Sequence, residues 1–149
     1  MPQAIRTISF VGLGLIGTSL LRAFAQSRQE EKNAVSFKGY DPSLGEQERE
    51  ELLGLGLDCF ETDRAALYEA DLIVLCAPIL ENIRLLGEIR RLAGASTLVA
   101  DVSSTKAQIA RRARELDLPF IGMHPMAGRE QQGFRAAHEE RRSTAPAPR

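Results

Sequence analysis

Three glycines of this 149-residue chain, at positions 12, 14 and 17, have the spacing G-x-G-x-x-G. The apolar run 8–11 precedes them, and the helix-compatible segment 18–24 follows. A strand, a glycine turn and a helix start in this order can bind the pyrophosphate of a dinucleotide. Gly12 would make the turn, Gly14 would let the backbone approach the phosphates, and Gly17 would let the helix pack against the strand.

An acidic residue, Asp41, ends the next strand candidate, 35–40. Its carboxylate can accept hydrogen bonds from the adenosine ribose, and it would repel a 2′-phosphate. Because residues 42–44 contain no arginine, NAD is expected in preference to NADP. The unpaired N–H groups at the helix start, which include those of Leu15 and Ile16, would face the phosphates. The alternative is a glycine-rich turn with an unrelated acidic residue.

Apolar runs alternate with helical patterns from residue 5 to about residue 125. This alternation predicts an α/β fold, a Rossmann-type doubly wound parallel sheet with helices on both faces. Strands are predicted at 6–11, 35–40, 57–60, 71–77, 96–101 and 119–123. Helices are predicted at 15–27, 44–55, 63–69, 79–92 and 105–116. The runs 71–77 and 97–100 are nearly all apolar, and we expect them at the centre of the sheet.

Composition argues against several classes of function. The net charge is −1, and no stripe of Lys and Arg with interleaved aromatic residues indicates nucleic acid as a partner. No apolar run is long enough to cross a membrane, so a cytoplasmic protein without membrane contact is expected. Cys59 and Cys76 lack the spacing of a metal or redox motif. We expect no metal site and place both cysteines in the core.

Ligands of open α/β sheets bind beyond the carboxyl ends of the strands, which makes residues 77–78, 101–106 and 123–130 informative. With the glycine motif and Y-D-P at 40–42, these segments include A-P, D-V-S-S-T-K and H-P-M-A-G-R-E. In this order, over residues 5–134, the chain resembles the amino-terminal domain of the prephenate dehydrogenase family. That family includes the arogenate and cyclohexadienyl dehydrogenases of tyrosine biosynthesis.

The resemblance implies an NAD-dependent oxidoreductase that converts prephenate to 4-hydroxyphenylpyruvate by oxidative decarboxylation, with Ala77 and Pro78 at the cofactor. His124 matches the catalytic histidine, which accepts the proton of the ring hydroxyl as hydride leaves the same carbon. A neutral imidazole suits that role. The alternative is a histidine that only caps the last strand.

Ser104 matches the serine that hydrogen-bonds the histidine or the hydroxyl in this family. It could instead be a helix N-cap, although T-x-x-Q at 105–108 can form a capping box by itself and leave Ser104 free. Lys106 could lend charge to a carboxylated substrate or lie in solvent. Glu130 could be a gate, a partner behind the site, or a polar loop residue.

Residues 135–149 contain no Val, Ile, Leu, Met or aromatic residue, so a disordered tail is expected. Family members carry a second, helical domain that forms the homodimer and helps to hold the substrate carboxylates. We expect this chain to lack that domain and to be a truncated or frameshifted product with weak or no activity alone. A stand-alone NAD-binding module without turnover is the alternative. Dehydrogenases of the hydroxyisobutyrate type share the fold, but their catalytic lysine motif is not seen.

Overall fold

The computed structural model describes residues 4–124, so the predicted tail at 135–149 lies outside the described residues. The strands are β1 (Thr7–Val11), β2 (Ser36–Tyr40), β3 (Cys59–Phe60), β4 (Leu72–Leu75), β5 (Leu98–Asp101) and β6 (Phe120–Gly122). The helices between them are α1 (Leu15–Glu31), α2 (Glu46–Gly54), α3 (Arg64–Tyr68), α4 (Ile79–Leu92) and α5 (Ala107–Glu115). None of these helices has the length and apolarity needed to cross a membrane. The predicted alternation of strands and helices is confirmed.

All six strands are parallel, and their order in the sheet is β3-β2-β1-β4-β5-β6. The order reverses between β1 and β4, as in the Rossmann fold, so that prediction is confirmed. These two strands form the centre of the sheet, and the placement of β5 there is wrong. An apolar strand can be buried on both faces at the centre or next to the edge, so composition alone could not decide its position.

Alternate side chains of the central strands face two separate cores. Phe10 and Val74 lie in the core that α1 and α2 cover. Ile73 and Leu75 lie in the core that α3, α4 and α5 cover. β4 is therefore buried on both faces, which explains its uninterrupted apolar sequence.

The two cysteines lie in different environments, and neither forms a disulfide bond. Cys76 follows β4 and packs against the core. Cys59 lies on the edge strand β3 and is exposed, so its predicted place in the core is wrong. The apolar pattern at 57–60 yields only two strand residues, and an edge position leaves them uncovered on one side.

A polar network joins α3 to α4 and to the end of β2. The buried Tyr68 hydroxyl donates to Glu88 at 2.9 Å, and the Arg64 guanidinium donates to both Tyr68 and Glu88. The same guanidinium lies 4.3 Å from the centre of the Tyr40 ring. Burial raises the pKa of Tyr68 to about 12, against the opposing effect of Arg64. These contacts hold the carboxyl end of β2 in place beside the candidate site.

Candidate functional site

The glycine turn between β1 and α1 packs closely against the end of β4. Gly12 has a φ of +92°, and a Cβ atom there would lie 2.6 Å from the backbone nitrogen of Ala77. A Cβ atom at Gly17 would lie 2.1 Å from the carbonyl oxygen of Gly12. Backbone conformation excludes a side chain at the first position, and helix packing excludes one at the second.

The N-terminus of α1 is open. Gly14 is the exposed N-cap, and a Cβ atom there would meet no atom within 4 Å. No side chain caps this end, and the first turn contains no acidic residue. The first N–H groups of a helix, here including those of Leu15 and Ile16, have no acceptor within it. Together with the helix dipole they form a site for an anion.

The carboxylate of Asp41 joins the end of β2 to the glycine turn. Its Oδ2 accepts the N–H of Leu13 at 2.8 Å. Its Oδ1 accepts the N–H and the hydroxyl of Ser43 at 2.9 and 2.6 Å. Burial acts to raise the pKa of Asp41, but the hydrogen bonds from Ser43 and Leu13 outweigh it and hold the pKa below its usual value. Asp41 is therefore ionised at neutral pH, with part of its acceptor capacity left for a ligand.

The residues after β4 form the opposite wall of the glycine turn. The carbonyl oxygen of Ala77 accepts the side-chain N–H of Asn82 at 2.9 Å. Pro78 is exposed and is the N-cap of α4. Burial, together with the negative charge of Asp101, raises the pKa of Cys76 to about 12. Cys76 is thus a protonated thiol that supports the turn.

A fully buried carboxylate, that of Asp101 at the end of β5, gathers donors from several segments. Its Oδ1 accepts the Asn82 amide at 3.0 Å. Its Oδ2 accepts Nζ of Lys106 at 2.9 Å and both the N–H and the hydroxyl of Ser103. The carbonyl oxygen of Asp101 accepts Nζ of Lys106 at 2.7 Å and the N–H of Met123 at 2.8 Å. We call these five residues the Asp101 cluster.

Sequence reasoning missed the Asp101 cluster. The D-V-S-S-T-K motif contains Asp101 without indicating that its carboxylate is buried, and no sequence pattern marks Asn82. The available signal was a charged residue that ends an otherwise apolar strand, because a carboxylate is fully buried only when it is paired. Lys106, for which a substrate contact or solvent was expected, has its ammonium bonded to Asp101.

Ser104 is exposed in the loop between β5 and α5. The helix begins at Ala107, and its N-cap is Lys106, with no side-chain cap. The interpretation of Ser104 as an N-cap is therefore excluded, and the predicted capping box at 105–108 is wrong. The reason is that Ser103 and Lys106 turn towards Asp101, which organises this loop before the helix begins.

His124 is exposed and follows β6 by two residues. β6 pairs with β5 in parallel, with Gly122 opposite Asp101. The structure thus brings Ser104 and His124 to neighbouring loops at the carboxyl edge of the sheet. The predicted site residue Glu130 lies outside the described residues.

The family model described as the nucleotide-binding domain of prephenate dehydrogenase matches residues 24–146. The chain belongs to this family. Prephenate dehydrogenase of Lactococcus lactis is 30% identical over 138 residues, which is 89% of this chain and 37% of that protein. The family predicted from the motifs is confirmed.

Solved structures of the family have the same fold. Synechocystis arogenate dehydrogenase is 31% identical, with a TM-score of 0.69 over 87% of this chain and 44% of that one. Prephenate dehydrogenase from A. aeolicus, in complex with hydroxyphenyl propionate and NAD+, is 21% identical, with a TM-score of 0.71 over 90% and 46%. The chain spans 37 to 45% of the length of the curated relatives that it matches.

Proposed function

We propose that this chain is the nucleotide-binding domain of an NAD-dependent dehydrogenase that acts on prephenate or arogenate. One observation carries the proposal: the open N-terminus of α1 lies beside the ionised carboxylate of Asp41, which bonds to Leu13 within the glycine turn. Donors for a pyrophosphate and an acceptor for a ribose are thus neighbours, as a dinucleotide requires. Family membership favours a dehydrogenase over a stand-alone binding module.

The residues present fit NAD. The space over Gly14 can receive the pyrophosphate, and Asp41 can accept a ribose hydroxyl and repel a 2′-phosphate. The proposed cofactor contacts are Gly12, Gly14, Leu15, Ile16, Gly17, Asp41, Ala77 and Pro78. When bound, NAD supplies the hydride acceptor.

Proton transfer is assigned to His124, whose exposed imidazole lies at the carboxyl edge of the sheet. It accepts the proton of the substrate's ring hydroxyl while hydride leaves the same carbon and the ring carboxylate departs as carbon dioxide. Ser104 hydrogen-bonds the histidine or that hydroxyl. If Lys106 lends positive charge to a carboxylate of the substrate, it does so while its ammonium is paired with Asp101. Glu130, six residues after His124 in the same motif, would act as a gate or as a partner behind the site.

Residues 5–134 are proposed to form this domain. Its proposed partner is the small-molecule substrate, prephenate or arogenate, whereas the family homodimer is formed by the second, helical domain. A role in tyrosine biosynthesis would place the protein in the cytoplasm.

Calorimetric titration of the chain with NAD+ tests the cofactor site. Gly14→Val should nearly abolish binding, because the new side chain would occupy the space where the backbone meets the pyrophosphate. The fold should tolerate the change, since the backbone of Gly14 is extended and a Cβ atom there meets no neighbour. Gly45→Val is the matched control, because Gly45 is the extended N-cap of α2 and is equally open. Undiminished NAD+ binding by Gly14→Val would show that the glycine turn is not the phosphate site.

A further inference from the structure

We infer that Asp101 is a positioning residue that fixes three loops of the proposed active site relative to one another. This inference rests on the proposed function. The loops are those after β4, β5 and β6, which carry Ala77, Ser104 and His124. These three residues are not members of the Asp101 cluster, but each is next to one. Ala77 is hydrogen-bonded to Asn82. Ser104 follows Ser103 in the sequence, and His124 follows Met123.

The contacts reach every one of the three loops. Asn82 bonds both to Asp101 and to the carbonyl oxygen of Ala77, so it connects the carboxylate to the loop after β4. Ser103 bonds to the carboxylate through its N–H and its hydroxyl, immediately before Ser104. The backbone carbonyl of Asp101 accepts the N–H of Met123, immediately before His124. Because any residue at position 101 supplies that carbonyl, the carboxylate itself acts on β6 through Lys106.

Burial makes these contacts depend on one another. The Asp101 side chain is 0% exposed and its ion-pair partner Lys106 is 21% exposed. A buried carboxylate is costly unless its acceptor positions are filled, so the loss of one partner weakens the whole arrangement. The stem of Lys106 also lies across β6, since a Cβ atom at Gly122 would be 3.3 Å from its Cδ. Lys106 therefore ties the carboxylate to β6 as well as to its own loop.

The position of the Asp101 cluster predicts which part of the ligand it serves. The glycine turn and Asp41 belong to the β1–β3 half of the sheet, which binds the adenosine end of a dinucleotide. The cluster belongs to the β4–β6 half, which faces the nicotinamide end. Its loss should therefore weaken binding of NAD+ much more than binding of ADP-ribose, which lacks the nicotinamide.

The test uses Asp101→Asn in the full chain. An asparagine amide turns one donor towards either Asn82 or Lys106, which are themselves donors, so the contacts cannot all be kept. We expect the dissociation constant for NAD+ to rise about tenfold and that for ADP-ribose to change less than about twofold. Hydrogen exchange at the Ser103 amide should accelerate by about tenfold or more, while exchange at the Leu13 amide stays unchanged.

Two further variants separate positioning from general stability. Lys106→Met keeps the stem over Gly122 but removes the ammonium, and it should act in the same direction as Asp101→Asn. Asp71→Asn is the matched control, because Asp71 also accepts backbone N–H groups, those of Arg6 and Thr7. It lies at the amino ends of β1 and β4, whereas the Asp101 cluster lies at the carboxyl ends of the strands. It should leave the ratio of the two dissociation constants unchanged.

Equal losses of affinity for NAD+ and ADP-ribose in Asp101→Asn would overturn the inference, as would unaltered exchange at Ser103. If Asp101→Asn does not fold, the two affinities and the exchange rate of the Ser103 amide are measured in Lys106→Met instead, and the same two results would overturn the inference. A wild-type chain that binds neither ligand would contradict the proposed function instead. The exchange rate of the Ser103 amide in the variants would then decide the inference alone.

Discussion

Gly12, Gly14 and Gly17 differ in what surrounds their α-carbons. The fold itself requires glycine at the first and last positions, where a Cβ atom would meet backbone atoms. At Gly14 no atom of residues 4–124 excludes a side chain, which agrees with the proposed approach of a pyrophosphate to the backbone there. Asp41 bonds to the glycine turn through the N–H of Leu13, and the proposed function gives the same carboxylate the contact with the ribose.

Asp41 should set the preference between the two nicotinamide cofactors. In Asp41→Ser the carboxylate no longer repels a 2′-phosphate, so the ratio of the dissociation constants for NADP+ and NAD+ should fall by about tenfold, or about 1.4 kcal/mol. Calorimetry with both cofactors measures this ratio. Asp58→Ser is the control, since Asp58 accepts the N–H of Phe37 at the other end of β2 and pairs with Arg28. An unchanged ratio in Asp41→Ser would mean that its carboxylate does not face the ribose.

At the scale of elements, the position of α1 depends on its close approach to the glycine turn. The hydroxyl of Thr18 bonds back to the carbonyl oxygen of Leu13 at 3.0 Å, which holds the first turn of the helix over the end of β1. Gly17 faces the carbonyl of Gly12 and the side chain of Cys76, so the turn, the helix and β4 meet at one point. The direction of the free N–H groups follows from this packing.

Gly17→Ala should destabilise the protein, because the Cβ atom of the alanine would clash with the backbone carbonyl oxygen of Gly12, from which it would lie only 2.1 Å away. Overpacking of this kind costs about 1–3 kcal/mol in the free energy of unfolding. Gly54→Ala is a matched helical control at the end of α2, where a Cβ atom meets no neighbour, and it should be neutral or stabilising by up to about 1 kcal/mol. Urea denaturation compares the variants. If both have the same stability, α1 can move away from the turn without cost.

At the scale of the whole molecule, the sheet divides between β1 and β4 into two halves, to which the proposed function gives separate tasks. The first half presents the glycine turn and Asp41. The second presents the loops that carry Ser104 and His124, braced by the Asp101 cluster. The proposed reaction needs both halves, and the chain spans 37 to 45% of the length of the curated relatives that it matches.

His124 should be needed for prephenate oxidation by a protein that joins this chain to the remaining part of its Lactococcus lactis relative. Asparagine cannot take up the proton at neutral pH, so His124→Asn should lower kcat by roughly 10²–10⁴ and leave NAD+ affinity nearly unchanged. Steady-state kinetics and calorimetry measure the two quantities. His138→Asn is the control, since His138 falls in the predicted tail, outside the described residues. Full kcat in His124→Asn would remove the histidine from the mechanism.

The sequence by itself determined the succession of strands and helices along the chain and the position of the glycine turn between β1 and α1. These follow from local features, namely the spacing of apolar residues and the glycines that a tight turn requires. The place of Asp41 beside that turn was also predictable, because both lie at the carboxyl ends of parallel strands.

Only the tertiary structure decided the position of β5 next to the edge strand β6, the exposure of Cys59 and the surroundings of Asp101. Each depends on which distant segments meet, and burial on both faces looks the same in sequence for β4 and β5. Asp101 draws its partners from 19 residues before it, at Asn82, and 5 residues after it, at Lys106. Those donors reach the carboxylate because α4 packs over the sheet and the loop before α5 folds back on β5, and no local pattern encodes that meeting.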